Sequence, residues 1–262
     1  MNTIQIWKLG GKILEDASTL DELLKKVSDS KDPIILVHGG GIIANQLAAK
    51  LGEPVVMHQG RRITTPGMLE IAIMSYAGKI NKSISTALSS MGRPSLGLCG
   101  GDLNIITGHK RVAADVDFGM VGDIDNVNIT PLTQALDMGW VPVIAPLIGD
   151  GEGGLLNTNA DTIACRLGTE LQMAGFATQI CLTMDLEGVR MVPSDESTLV
   201  PKIDRDRYDD MKKAQIVSGG MLPKLDMAFS AKTMGVSRVF ICHPKALSTD
   251  TSLLPKPATE II

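Results

Sequence analysis

The chain has 262 residues, 44% apolar and 21% charged, with 25 Lys and Arg against 29 Asp and Glu. That length can build one large α/β domain or two lobes on a shared sheet. A net charge of −4 argues against a nucleic-acid or anionic-membrane partner, so an anionic substrate must be held by a few locally placed cations.

The apolar run Ile4 to Trp7 reads as a buried strand and is followed at once by Lys8-Leu9-Gly10-Gly11. Leu20, Leu23, Leu24 and Val27 then give a helix of amphipathic period, with Ser18 as its expected cap. A second strand, Ile34 to Val37, runs into His38-Gly39-Gly40-Gly41 and a helix over 42–51. Glycine lets the backbone turn sharply and approach a ligand, and the amides opening a helix favour anionic oxygens, so two such loops point to phosphate handling. A strand-like piece spans Val55 to Met57, a long helix 68–90, and a strand Ser95 to Cys99. Between 100 and 128 short β-prone pieces, Ile105 to Thr107 and Arg111 to Ala113, predict a hairpin-rich insertion. A helix over 131–138 and a strand Val141 to Ile144 lead to a glycine-rich turn at 149–154, after which Asn157-Thr158-Asn159-Ala160-Asp161 opens another helix. Strand Gln179 to Thr183, a polar segment through Lys202, helices over 204–213 and 221–234, and strand Arg238 to Ile241 complete the pattern. Strands alternating with helices predict a mainly parallel sheet covered on both faces.

Lys8 is either a snorkelling strand-end lysine or a phosphate ligand. Lys224, in the first turn of the helix opened by Ser218-Gly219-Gly220, opposes the helix dipole and calls for an anion nearby. Asp161 is either a dipole-stabilising first-turn residue or a carboxylate that spaces two ammonium groups. Asn157 and Asn159 are turn formers or, if extended, face one side together. Arg62 is a solvated charge or a clamp on a carboxylate. Gly39-Gly40-Gly41-Ile42-Ile43-Ala44 matches the relaxed dinucleotide fingerprint, but the next strand ends in His58-Gln59 rather than the required acid. The P-loop and protein-kinase signatures are absent. Cys99, Cys165, Cys181 and Cys242 are widely spaced in or beside apolar runs and are expected to be reduced core residues; no metal-ligand set is apparent. Without a basic leader or a long apolar run, the cytosol is the expected compartment.

These pieces, in order, resemble the amino-acid kinase superfamily, and most closely the N-acetylglutamate kinases of arginine biosynthesis. The likeness runs through Lys8-Leu9-Gly10-Gly11, His38-Gly39-Gly40-Gly41, Gly60-Arg61-Arg62-Ile63-Thr64, Gly78-Lys79-Ile80-Asn81-Lys82, Val116-Asp117-Phe118-Gly119-Met120-Val121-Gly122, Asn157 to Asp161 and Ser218 to Lys224. It implies an open αβα sandwich in two lobes, residues 1–174 for the N-acyl amino acid and the dimer surface, and 175–262 for ATP with Mg²⁺. It implies that Lys8 and Lys224 neutralise the moving phosphoryl group and that Asp161 organises both. Amides of Gly10, Gly11, Gly40 and Gly41 would meet phosphoryl or carboxylate oxygens, and Arg62 and Asn157 the substrate's α-carboxylate and acylamide. Thr183, Asp185, Gly188, Gly219, Gly220 and Met221 would line the nucleotide, although the segment Thr183 to Val189 carries one residue more than the family's Thr-Asp-x-x-Gly loop. Arg61 stands where the family has an apolar residue at the acyl pocket, which suits a larger anionic group such as succinyl. The implied reaction is phosphorylation of the side-chain carboxylate of N-acetyl- or N-succinyl-L-glutamate. The ending Pro257 to Ile262 departs from the family's Gly-Thr, and no helix fits before the first strand, so a homodimer insensitive to arginine is expected. Sibling kinases of aspartate, carbamate, glutamate, N-acetylaminoadipate or a nucleoside monophosphate, and a regulatory module without catalysis, are the alternatives.

Overall fold

The computed structural model describes residues 3–58, 60–112, 115–250 and 253–262. Gln59 and Ala113, each part of a segment singled out above, lie outside the described residues. The first strand, β1 (Ile4–Leu9), sits in the middle of an eight-stranded sheet, hydrogen-bonded in parallel to β2 (Ile34–His38) on one side and β11 (Thr178–Thr183) on the other. Beyond β2 come β8 (Val141–Ala145) and, at the edge, β5 (Ser95–Cys99). Beyond β11 come β13 (Arg238–Cys242), β14 (Ala258–Ile261) and β12 (Lys202–Ile203), with β13 and β14 antiparallel and every other pair parallel.

Strand residues are apolar on both sides because both faces are covered. Ile4 and Ile6 face a core shared with α5 (Thr130–Asp137), α6 (Ala160–Met173), α7 (Arg205–Lys213) and α8 (Met221–Thr233). Trp7 and Leu9 face the other core, packed by α1 (Ala17–Asp29), α2 (Gly41–Leu51), α3 (Pro66–Ala72) and α4 (Asn81–Ser90). The result is the expected αβα sandwich. A four-stranded sheet, ordered β10 (Leu155–Asn157), β9 (Leu147–Gly149), β6 (Ile106–Lys110) and β7 (Gly122–Val127), supplies the hairpin-rich insertion, and β3 (Val56–His58) with β4 (Arg61–Ile63) forms a separate ribbon.

The structure differs from the sequence reading at four places. The cap of α1 is Asp16, not Ser18: its Oδ1 accepts from the Thr19 amide at 3.2 Å, so the helix starts at Ala17, just after a 3₁₀ turn at Lys12–Leu14 that follows the glycine loop. The long helix over 68–90 is interrupted, since Ile73–Ile80 winds as a π-helix between α3 and α4. Arg111 lies past the end of β6 and pairs by its side chain with Asp123 at 2.6 Å. The tail at 258–261 is a strand, made so by Thr259, whose buried hydroxyl accepts from the Val189 amide at 2.8 Å and donates to the Val200 carbonyl at 2.7 Å.

Candidate active site

Parallel strands deliver their following loops to one end of the sheet, and adjacent strands place those loops side by side. Lys8 lies near the end of β1, Asp161 in the first turn of α6 with Asn159 as its cap, and Lys224 in the first turn of α8. Lys8 Nζ reaches Asp161 Oδ1 at 3.0 Å, and Lys224 Nζ lies 2.9 Å from both carboxylate oxygens. Each of the three side chains is 10–12% exposed. Burial acts to raise the Asp161 carboxyl, but the Lys8 and Lys224 charges outweigh it and hold the group below its ordinary range, ionised. Burial and then repulsion from Lys8 pull Lys224 down from the ordinary lysine value, against the attraction of Asp161. Two ammonium groups on one carboxylate leave a surplus positive charge in a poorly solvated place, which favours an anion.

The first glycine loop divides its amides. Gly10 donates to Thr183 Oγ1 at 3.2 Å, and that hydroxyl donates to the Lys8 carbonyl at 2.7 Å. The Gly10 amide, expected to meet an oxyanion, is thus spent on stapling the β1 and β11 loops, and Thr183 acts there as a loop brace. No hydrogen bond engages the Gly11, Gly40 or Gly41 amide among the described residues. Gly40 is the N-cap of α2 and must lack a side chain: a Cβ there would come within 2.5 Å of Ile80 and 2.7 Å of Tyr76. His38 is fully buried beneath this loop. Its Nδ1 is 2.7 Å from the Gly39 carbonyl, which can only accept, and its Nε2 faces the Asn81 amide nitrogen at 3.2 Å, so the neutral Nδ1-H tautomer satisfies both. Burial pushes its pKa down to about 4, which removes it as a base that titrates near neutrality.

Arg62, on the β3–β4 ribbon, donates to the Gly41 carbonyl at 3.1 Å and lies 3.6 Å from the Met68 sulfur. Arg61 is exposed. Successive strand residues point to opposite sides, so Arg61 and Arg62 lie on different sides of the ribbon. Asn157 is buried and donates through Nδ2 to Thr64 Oγ1 at 3.0 Å, whereas Asn159 is committed to capping Asp161, so the two do not act as one pair. Thr64 also anchors the Val116–Gly122 motif, its amide and carbonyl bonding Phe118 and Met120. Gly119 has φ +70°, and a Cβ there would collide with the Thr64 carbonyl, which explains a glycine in that motif.

On the β11 side, Asp185 is exposed and pairs with Lys12 at 2.6 Å. Gly188 packs against the tail, where a Cβ would meet Thr259 Oγ1 at 2.5 Å. Gly219 has φ +55°, Gly220 caps α8 and Met221 opens it. Sequence reasoning missed Thr64, Tyr76, Lys12 and the Asn81 contact. Asn81 and Thr64 stood inside recognised motifs without a role, and Tyr76 carried no signal beyond helical periodicity.

A sequence model described as the amino acid kinase family matches residues 3–243. The chain belongs to the amino acid kinase family. This kinase is 39% identical over 247 residues to an acetylglutamate kinase of Bacteroides fragilis, covering 94% of each chain. It is 40% identical over 253 residues to an acetylglutamate kinase of Phocaeicola vulgatus, covering 97% of this chain and 98% of that one. Among solved structures, an N-acetylglutamate synthase of Neisseria gonorrhoeae superposes with a TM-score of 0.81 at 22% identity, covering 99% of this kinase and 59% of the longer synthase chain, a likeness of fold. No helix among the described residues is long and apolar enough to cross a membrane.

Proposed function

We propose that this kinase transfers the γ-phosphoryl group of ATP to the side-chain carboxylate of N-acetyl-L-glutamate, giving an acyl phosphate for arginine biosynthesis. The observation that carries the reading is the convergence of Lys8 and Lys224 on Asp161, an ionised carboxylate holding two ammonium groups at 2.9–3.0 Å. Residues 1–174 would form the lobe for the acylated amino acid and 175–262 the lobe for the nucleotide, with Thr183, Asp185, Gly188, Gly219, Gly220 and Met221 along the latter.

A carboxylate is ionised at neutral pH and needs no general base, in keeping with a His38 that is buried, neutral and braced at both nitrogens. One carboxylate oxygen attacks the γ-phosphorus, the new P–O bond forms as the bond to the bridging oxygen breaks, and ADP leaves with that electron pair. Lys8 and Lys224 would balance the charge on the phosphoryl oxygens and Asp161 would fix their separation, so that catalysis rests on position and electrostatics. The Gly11, Gly40 and Gly41 amides would supply further donors, and Arg62 and Asn157 would receive the α-carboxylate and acylamide. Both Asp161 oxygens are taken by lysines, and the described residues present no group of three acidic, His or Cys side chains arranged to hold a metal. Mg²⁺ would accordingly be carried on the nucleotide phosphates, where it neutralises their charge.

The four cysteines are free and buried, which suits a reducing cytosol. A homodimer through the amino-terminal half is part of the same reading, since β5 closes that side of the sheet as an edge strand. Trapping the product with hydroxylamine tests the activity. ATP-dependent hydroxamate is expected from N-acetyl-L-glutamate, with N-succinyl-L-glutamate run beside it to identify the acyl group. ADP release with aspartate or carbamate, and no hydroxamate from either N-acylglutamate, would replace this reading by a sibling activity.

A further inference from the structure

The helix crossing the site leaves α geometry at Ile73–Ile80, where it winds as a π-helix, a form that concentrates at functional sites. This stretch carries Tyr76 and Ile80 against Gly40, closer than any residue with a Cβ at position 40 would allow. Tyr76 is 4% exposed, with its ring against Gly40, and the Arg62 guanidinium that bonds the adjoining Gly41 carbonyl is near enough to bear on its phenol. Burial, opposed by that cation, holds the phenol above its ordinary pKa, so it is protonated and able to donate at neutral pH. Arg62 itself gives one N–H to the Gly41 carbonyl and turns another toward the Met68 sulfur, and apart from Tyr76 its fork has no further partner among the described residues. A cation on the Gly41 carbonyl and a tyrosine packed against Gly40 thus flank the second glycine loop.

We propose that Tyr76 is a specificity-determining residue of the acyl amino acid site, its hydroxyl donating a hydrogen bond to the substrate α-carboxylate alongside the Arg62 guanidinium. The inference rests on the reading that Arg62 receives that carboxylate. A carboxylate has more lone pairs than one guanidinium edge can fill. A buried phenol adds a donor without adding charge, and its ring is held in place by Gly40, so little conformational freedom is lost when the ligand binds. An α-carboxamide would turn an NH₂ group toward these donors and forfeit the bond.

Tyr76→Phe removes the hydroxyl and keeps the ring against Gly40. The expected result is a KM for N-acyl-L-glutamate raised about tenfold, the scale of a hydrogen bond to a charged group, with kcat and the KM for ATP within about twofold of wild type and an unchanged thermal midpoint. The N-acyl-isoglutamine analogue, which carries an α-carboxamide, should be handled alike by the two proteins, whether read as turnover or as competitive inhibition. An unchanged KM, or an equal loss for the carboxamide, would overturn the proposal and leave Tyr76 a packing residue. A wild-type enzyme that forms no hydroxamate from any N-acylglutamate would instead overturn the functional reading beneath it, and the wild-type arm reports that separately.

Discussion

Lys8, Asp161 and Lys224 form a charged unit whose members depend on one another. Asp161 stays ionised despite burial because two cations hold it, and Lys224 is pulled down partly because Lys8 is near. Lys8→Ala should therefore lower kcat by about 10³, on the scale of a cationic finger acting on a transferred phosphoryl group, with circular dichroism unchanged because Lys224 still pairs Asp161. Full turnover in that variant would remove Lys8 from the reaction. His38 supplies a pH dependence of a different kind. Its folded pKa is near 4 against an ordinary 6.5, so the unfolded chain takes the proton first and stability falls as pH drops through that window. The full loss is about 3 kcal/mol. Denaturant titrations at several pH values should show it, and the difference between wild type and His38→Gln should narrow between pH 6.5 and 4; parallel curves for the two proteins would refute the assignment.

Among the elements, boundaries were decided by particular side chains. Asp16 accepts from the Thr19 amide and starts α1 two residues before the serine that composition alone favours, since both residue types cap well and only the loop path separates them. The π turn at Ile73–Ile80 has no mark in the sequence, because its apolar spacing differs little from that of an α-helix over a few residues; only the folded backbone shows it. The final strand was hidden in a short tail that follows Pro255 and Pro257. Thr259 is fully buried and joins β14 to the Val189 and Val200 backbone, so Thr259→Val keeps the shape and strands two buried polar groups. A loss of about 2 to 3 kcal/mol is expected, measured as a lower denaturation midpoint at unchanged slope. A variant as stable as wild type would mean that water reaches both groups.

Across the whole molecule, β1 is hydrogen-bonded to strands from both halves of the chain, and Trp7 lies fully buried in its middle. The halves share that strand, so urea unfolding followed by tryptophan fluorescence and by far-ultraviolet circular dichroism should give coincident transitions. Separate midpoints would show lobes that unfold independently. The layered architecture was legible in the sequence because parallel strands covered on both faces are apolar throughout and alternate with amphipathic helices, a pattern that survives without knowledge of any contact. The same held for the glycine loops and for the lysines beside them, since each is placed by its own strand or helix. Contacts between distant segments were not legible. That the Gly10 amide serves Thr183 rather than a ligand, and that Arg62 and Tyr76 come to the Gly40-Gly41 loop from separate elements, depend on segments brought together by the fold. Local chemistry therefore determined which elements form and which residues can bear charge at their ends, whereas the order in which β11, β1 and β2 lie side by side decided which of those residues meet, because a strand's pattern records its burial but not its neighbours.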